Sequence, residues 1–115
     1  MIATELPVYH DVYKFVKMVA MAQNNYSKQF KYGLGEKTLN TAIELFEYIQ
    51  LANMFKENRK VHLNGFIIKF ETVKTLLRVA EDFHQISISK RAEMFPVIER
   101  IGRQITAWKN APLKQ

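Results

Sequence analysis

Apolar side chains recur at three- and four-residue spacing along almost the whole chain, the period of one face of an α-helix. Val12, Phe15, Val16, Val19 and Ala22 mark the first such face. Pro7 suits the opening turn of that helix, where a missing N–H costs nothing. The pattern fades in the polar Gln23, Asn24 and Asn25, and residues 26–32 read as a partly helical connection. A second helix over 35–55 carries Leu39, Ala42, Ile43, Phe46, Ile49 and Ala52 or Asn53. The charged stretch 56–60 is a turn. A third helix over 61–85 carries Leu63, Phe66, Ile67, Phe70, Val73, Leu77, Ala80 and His84. Ser87 or Ser89 caps a fourth helix that ends near Asn110, ahead of Pro112. Its apolar face carries Phe95, Ile98, Ile101, Ile105 and Trp108.

No segment alternates with a period of two, so the expectation is all-α. Four helices joined by short connections imply an antiparallel up-down-up-down four-helix bundle. Pro96 removes a backbone hydrogen bond and crowds the preceding turn. It predicts a kink in the fourth helix, or a helix restarting there. The 115 residues suffice for one domain, 1–115, with one modest core. A 48% hydrophobic content is too high for a disordered chain. No apolar run approaches the roughly 20 residues that cross a bilayer, so no membrane association is expected. The opening residues lack the pattern of a signal peptide. Without cysteine there are no disulfides or thiolate metal sites, and a bacterial-type cytoplasm fits.

The stretch YGLGEKT, 32–38, invites comparison with a phosphate-binding loop. A Walker A loop places Gly-Lys-Ser/Thr after Gly and four residues, between a strand and a helix. Here Gly35 is followed by Glu36, position 30 is Phe30, and no strand precedes it. The two glycines instead let the chain turn, and Glu36 sits against the positive end of a starting helix. Glu81 and His84 form one Glu-x-x-His step, where di-metal bundles use two such steps and two further carboxylates. His10 and His62 fall near helix starts as boundary residues. Ser27, Ser87 and Ser89 lie at connections, in no nucleophile arrangement. The expectation is no catalysis, no metal and no cofactor.

Seventeen Lys and Arg against eleven Asp and Glu give a net charge of +6, which favours anionic partners, RNA or DNA among them. Antiparallel helices would bring Lys74 and Arg78 level with Arg100 and Arg103, a stripe able to track phosphates. Glu71, Glu81 and Glu99 are placed to pair with the same residues along the helix surfaces. Further basic residues gather at the two bundle ends: Lys90 and Arg91 at one, Arg59 and Lys60 at the other. Most aromatic residues fall on core stripes, although Tyr9, Tyr13, Tyr26 and Tyr32 could equally line a subunit interface. The broad apolar face of the fourth helix and Gly102, which permits close approach by another helix, allow a homo-oligomer.

Two segments carry a family resemblance. LGEKTLNTA, 34–42, continuing through Ala52 and Asn53, resembles the second-helix signature of a family of small bacterial four-helix proteins. IGRQITAW, 101–108, resembles that family's last helix, with its glycine and near-terminal tryptophan. The family contains the accessory variability determinant (Avd) proteins of diversity-generating retroelements and the proteins encoded by intervening sequences of 23S rRNA genes. The resemblance implies a homopentamer of four-helix protomers. For the retroelement branch it implies a basic, non-enzymatic protein that binds a reverse transcriptase and template RNA or DNA. The second helix departs from a basic pattern: no Lys or Arg lies between Thr38 and Phe55. The alternative reading is a protein-protein interaction scaffold without direct nucleic-acid binding.

Overall fold

The computed structural model describes residues 2–113, and every regular element among them is helical. Four long helices dominate: α1 at Pro7–Asn24, α2 at Glu36–Met54, α3 at Arg59–Asp82 and α4 at Ile88–Asn110. α1 packs on α2 and α4, and α3 packs on the same two helices. α1 and α3 therefore face each other across the centre. There the rings of Phe15 and Phe70 meet edge-on, centroids 5.7 Å apart, with Phe66 tilted against Phe70 at 5.6 Å. The result is a rod of 51 × 23 × 20 Å.

Each helix contributes one narrow stripe to the core. Val12, Phe15 and Val19 come from α1, and Leu45, Ile49 and Ala52 from α2. Phe66, Val73 and Leu77 come from α3, and Val97, Ile101 and Ile105 from α4. Full burial of one large apolar side chain is worth about 1.5–3 kcal/mol, so these stripes supply most of what holds the rod together.

Two stripes differ from the periodic reading. On α2 the core takes Thr38, Thr41, Ala42 and Leu45, while Ile43 is exposed. Both threonine hydroxyls donate to carbonyls one turn back, Leu34 and Lys37, each at 2.7 Å, so they enter the core with their polar atoms satisfied. On α4 the core takes Met94 and Val97, and Phe95 is 60% exposed. Ile98 and Trp108 pack only at the core's margin. α4 runs unbroken through Pro96, so no helix restarts there.

The connections depart further from the periodic reading. After a single helical turn at Lys28–Phe30, the chain widens into a π-helical turn, Lys31–Gly35, that leads directly into α2. No glycine among the described residues has positive φ, so Gly33 and Gly35 do not supply a left-handed turn. Gly35 serves close approach instead. A Cβ there would stand 2.7 Å from Gln23 Cγ and 3.2 Å from the Tyr26 ring. Gln23 also donates to the Lys31 carbonyl at 3.1 Å, which ties the end of α1 to this turn. Gly65, inside α3, has the same purpose: the Tyr48 ring occupies the place of its missing side chain.

α3 ends at Asp82, earlier than its periodicity suggests, because His84 adopts φ 59°. The N–H of Gln85 donates to the Ala80 carbonyl at 2.8 Å and that of His84 to Glu81 at 2.9 Å. This is the glycine-type helix stop, with histidine in the left-handed position. His84 is exposed and is not part of the core stripe. At the next helix Ser87 is the cap, its Oγ accepting from the Lys90 N–H at 3.0 Å.

Because an L-residue at that φ is strained by about 1 kcal/mol, His84→Gly is expected to stabilise the fold by roughly 0.5–1 kcal/mol. Urea denaturation with unchanged m-value is the check. Lower stability in the variant would mean that the imidazole makes a contact worth more than the strain.

Candidate nucleic-acid interface

The four basic residues expected to form one stripe occupy three different settings. Lys74 lies toward α4 in the cleft between α3 and α4. Its ammonium is 2.6 Å from Glu71 and 5.1 Å from the centre of the Phe70 ring. Arg78, one turn further along α3, is exposed and has no ion-pair partner among the described residues. Arg100 turns away from that cleft toward α1. Its Nη2 donates to Asp11 at 3.1 Å, and Gln104 donates to the other oxygen of the same carboxylate at 2.7 Å. Arg103 is exposed on the outer side of α4 with no partner carboxylate among the described residues. Lys74 and Arg78 are thus neighbours, whereas Arg100 closes the α1–α4 seam.

The two bundle ends differ in the same respect. Lys90 sits 3.5 Å from Glu93, and Arg91 sits 3.4 Å from Glu81. Glu81 of the Glu-x-x-His step is therefore engaged with Arg91, and no group of three potential metal-ligating side chains forms among the described residues. At the opposite end Arg59 and Lys60 meet no carboxylate among the described residues, and neither do Lys56 and Lys109. Spacing along the chain identified these residues as basic ends, but gave no sign of which of them had a carboxylate partner.

Two titratable groups are shifted by their surroundings. The Lys69 ammonium is held above its ordinary value by its hydrogen bond to Glu44 and then by that carboxylate's charge; the two lie 3.0 Å apart across the α2–α3 seam. Burial pushes the Tyr26 phenol upward, since the core disfavours its anion. Tyr26 is the buried member of the four tyrosines that could have lined an interface; Tyr13 and Tyr32 are exposed.

An apolar cleft of about 390 Å³ runs between α3 and α4, floored by Phe66, Phe70, Ile98 and Ile105 and rimmed by Phe95. Gly102 opens into it with no atom within 4 Å of where a Cβ would stand. No helix among the described residues is long and apolar enough to cross a membrane.

The family comparison covers all four long helices. The model of the family described as bAvd-like matches residues 8–111, a span that takes in all but the first residue of α1 and the whole of α2, α3 and α4. The chain belongs to the bAvd-like family. No curated protein and no solved structure matches it. The two segments of the Avd resemblance, 34–42 and 101–108, both lie inside the matched span. In this member they hold core and seam positions: Gly35, Thr38, Thr41 and Ala42 against α1 and the core, Ile101 and Ile105 in the core, and Gln104 on Asp11.

The Asp11 network is structural. Asp11→Ala is expected to cost about 1 kcal/mol, less at high salt, because a half-exposed pair reinforced by a second donor stands above the ordinary surface bridge. Arg78→Gln is expected to stay within about 0.5 kcal/mol of the parent. Chemical denaturation of both variants at two salt concentrations distinguishes them. Equal stabilities would mean that Arg100 and Gln104 do not hold the α1–α4 seam.

Proposed function

We propose that this chain is a non-catalytic accessory protein that binds RNA or DNA through its phosphates. It would work in the bacterial cytoplasm, with a reverse transcriptase as the protein partner that the family resemblance implies; the 23S rRNA intervening-sequence branch is the other family setting. The observation that carries the reading is the bAvd-like match over 8–111, combined with basic side chains left without carboxylates, Arg78 and Arg103 among them. Their guanidinium groups remain free for an external anion. Lys74 and Arg100 would add to the field around them while staying in their internal pairs. Binding of this kind is electrostatic and largely indifferent to base sequence.

The protomer is proposed as an antiparallel up-down-up-down bundle. The seam contacts support it: Tyr48 meets Gly65 and Glu44 meets Lys69, so residue numbers rise on α3 as they fall on α2. The same inversion relates Glu81 with Arg91 to Arg59 with Trp108. A homopentamer is the proposed assembly, and the open α3–α4 cleft supports an oligomer. Gly102 costs about 1 kcal/mol in a helix interior, and within the protomer nothing uses the space it leaves.

A second reading, a protein-interaction scaffold without direct nucleic-acid binding, is favoured by one feature. A cleft between the end of α1 and the start of α4 is lined by Met18, Met21 and Met94 with Ile86. Methionine surfaces of this sort adapt to varied apolar side chains.

Fluorescence anisotropy of labelled structured RNA and duplex DNA across a salt series tests the first reading. Saturable binding that weakens steeply with salt is expected. In the Arg78→Gln/Arg103→Gln variant the slope of log affinity against log salt should fall by about one for each phosphate that is no longer neutralised. Absence of saturable binding at low salt would favour the scaffold. The assembly has its own check in sedimentation velocity: the parent should sediment as an oligomer of its 13.5 kDa chain and Phe95→Glu as a monomer. A monomeric parent would remove the pentamer from the proposal.

A further inference from the structure

We infer that the end of the rod formed by the α2–α3 turn and the last turn of α4 is a binding site for a single-stranded segment of nucleic acid, read through phosphate and one stacked base. The inference rests on the nucleic-acid reading above and names the strand class and the place. Its anchor is Arg59. The guanidinium lies over the Trp108 ring, 5.1 Å from its centre, and Nε donates to the Ala52 carbonyl at 2.8 Å. Those two contacts hold the group in one orientation and leave its two Nη groups without a carboxylate among the described residues. A phosphate takes two parallel bonds from that fork, with little ordering entropy left to lose.

The surroundings suit an anion. Lys56 and Lys60 are exposed beside Arg59 in sequence, and Lys109 follows Trp108. Among the described residues, Glu57 in the same turn and Glu5 just before α1 are the acidic residues at this end, and neither makes an ion pair with these four basic groups. Four described cations against two described carboxylates leave an excess of two side-chain charges. At the other end Lys90 and Arg91 are already paired, and Lys28, Lys31 and Lys37 are lysines, none of them a guanidinium fixed on a ring as Arg59 is. The second component is aromatic. Phe55 is 44% exposed at the end of α2, with the His62 ring 6.3 Å away. An exposed ring beside cations is what an unpaired base stacks on, whereas a duplex keeps its bases inside. The face of Trp108 is already occupied by Arg59, so Phe55 is the stacking surface and Trp108 the reporter.

Trp108 is the chain's single tryptophan, so its emission reads this site alone. The experiment titrates labelled oligouridylate of about 16 nucleotides, following label anisotropy and Trp108 emission together, with duplex DNA and polyglutamate as comparison ligands. Both signals should saturate in parallel. Lys56→Gln/Lys60→Gln, two exposed side chains that make no ion pair or side-chain hydrogen bond among the described residues, should weaken binding about tenfold at low salt. Phe55→Ala should weaken the single strand about tenfold and the duplex hardly at all. Anisotropy binding with unaltered Trp108 emission, and with parent affinity in both variants, would overturn this site and leave the proposed function standing. No binding at all would overturn both. An equal, equally salt-sensitive response to polyglutamate would overturn the single-strand assignment and leave a general polyanion surface.

Discussion

The edge-on contact of Phe15 with Phe70 spans the diagonal of the bundle, and the other packing follows from it. Two rings fill space between helices whose backbones stand apart. They set how far α1 stands from α3, and so how α2 and α4 fit between them. Each helix then has room for one stripe of inward side chains and no more. Smaller residues at this level would leave a void that the flanking helices could close only by shifting all four seams at once.

Once the core is confined to narrow stripes, the seams decide what the surface offers, and they are closed by different means. α2 and α3 meet most intimately, with the Tyr48 ring on Gly65 and Lys69 on Glu44. α1 and α4 are joined midway by Asp11, Arg100 and Gln104, and separate toward the methionine-lined cleft. Between α3 and α4 the outer layer stays apart: Phe95 and Gly102 border a cleft that no side chain of the protomer fills. An apolar seam left open beside a glycine is the surface on which the proposed oligomer would close.

Helix number, order and most boundaries were legible because a 3.6-residue period is imposed by burying one face, and this chain has little glycine or proline to obscure it. Which apolar column faces inward was less legible. On α4 two columns run side by side, Met94 with Val97 and Phe95 with Ile98, and period alone ranks them equally. The core chose the first because α1 and α3 approach from that side. Thr38 and Thr41 look polar in sequence, yet in a helix their hydroxyls satisfy themselves on carbonyls four residues back. Gly33 and Gly35 suggest a turn. The need that Gly35 meets is a contact with Gln23 and Tyr26, far enough away in sequence to leave no local trace. A single basic stripe requires that residues level along the rod also share a side. Arg100 and Lys74 are on different seams, because a helix rotates about 100° per residue and Asp11 lies on the other flank.

The net charge of +6 therefore says less about function than its distribution does. Lys74, Lys90, Arg91 and Arg100 each have a carboxylate within reach and are held in those pairs. Arg78 and Arg103 are free but flexible, so an anion that binds them must also order them. Arg59 is the exception, because the protomer has already ordered it: Trp108 supports its plane, the Ala52 carbonyl fixes its azimuth, and its outward atoms remain unspent. In this chain, where the two matched segments hold structural positions, the near-terminal Trp108 thus has a second physical role. It closes the end of the core, and it presents a cation in a fixed orientation to whatever approaches that end.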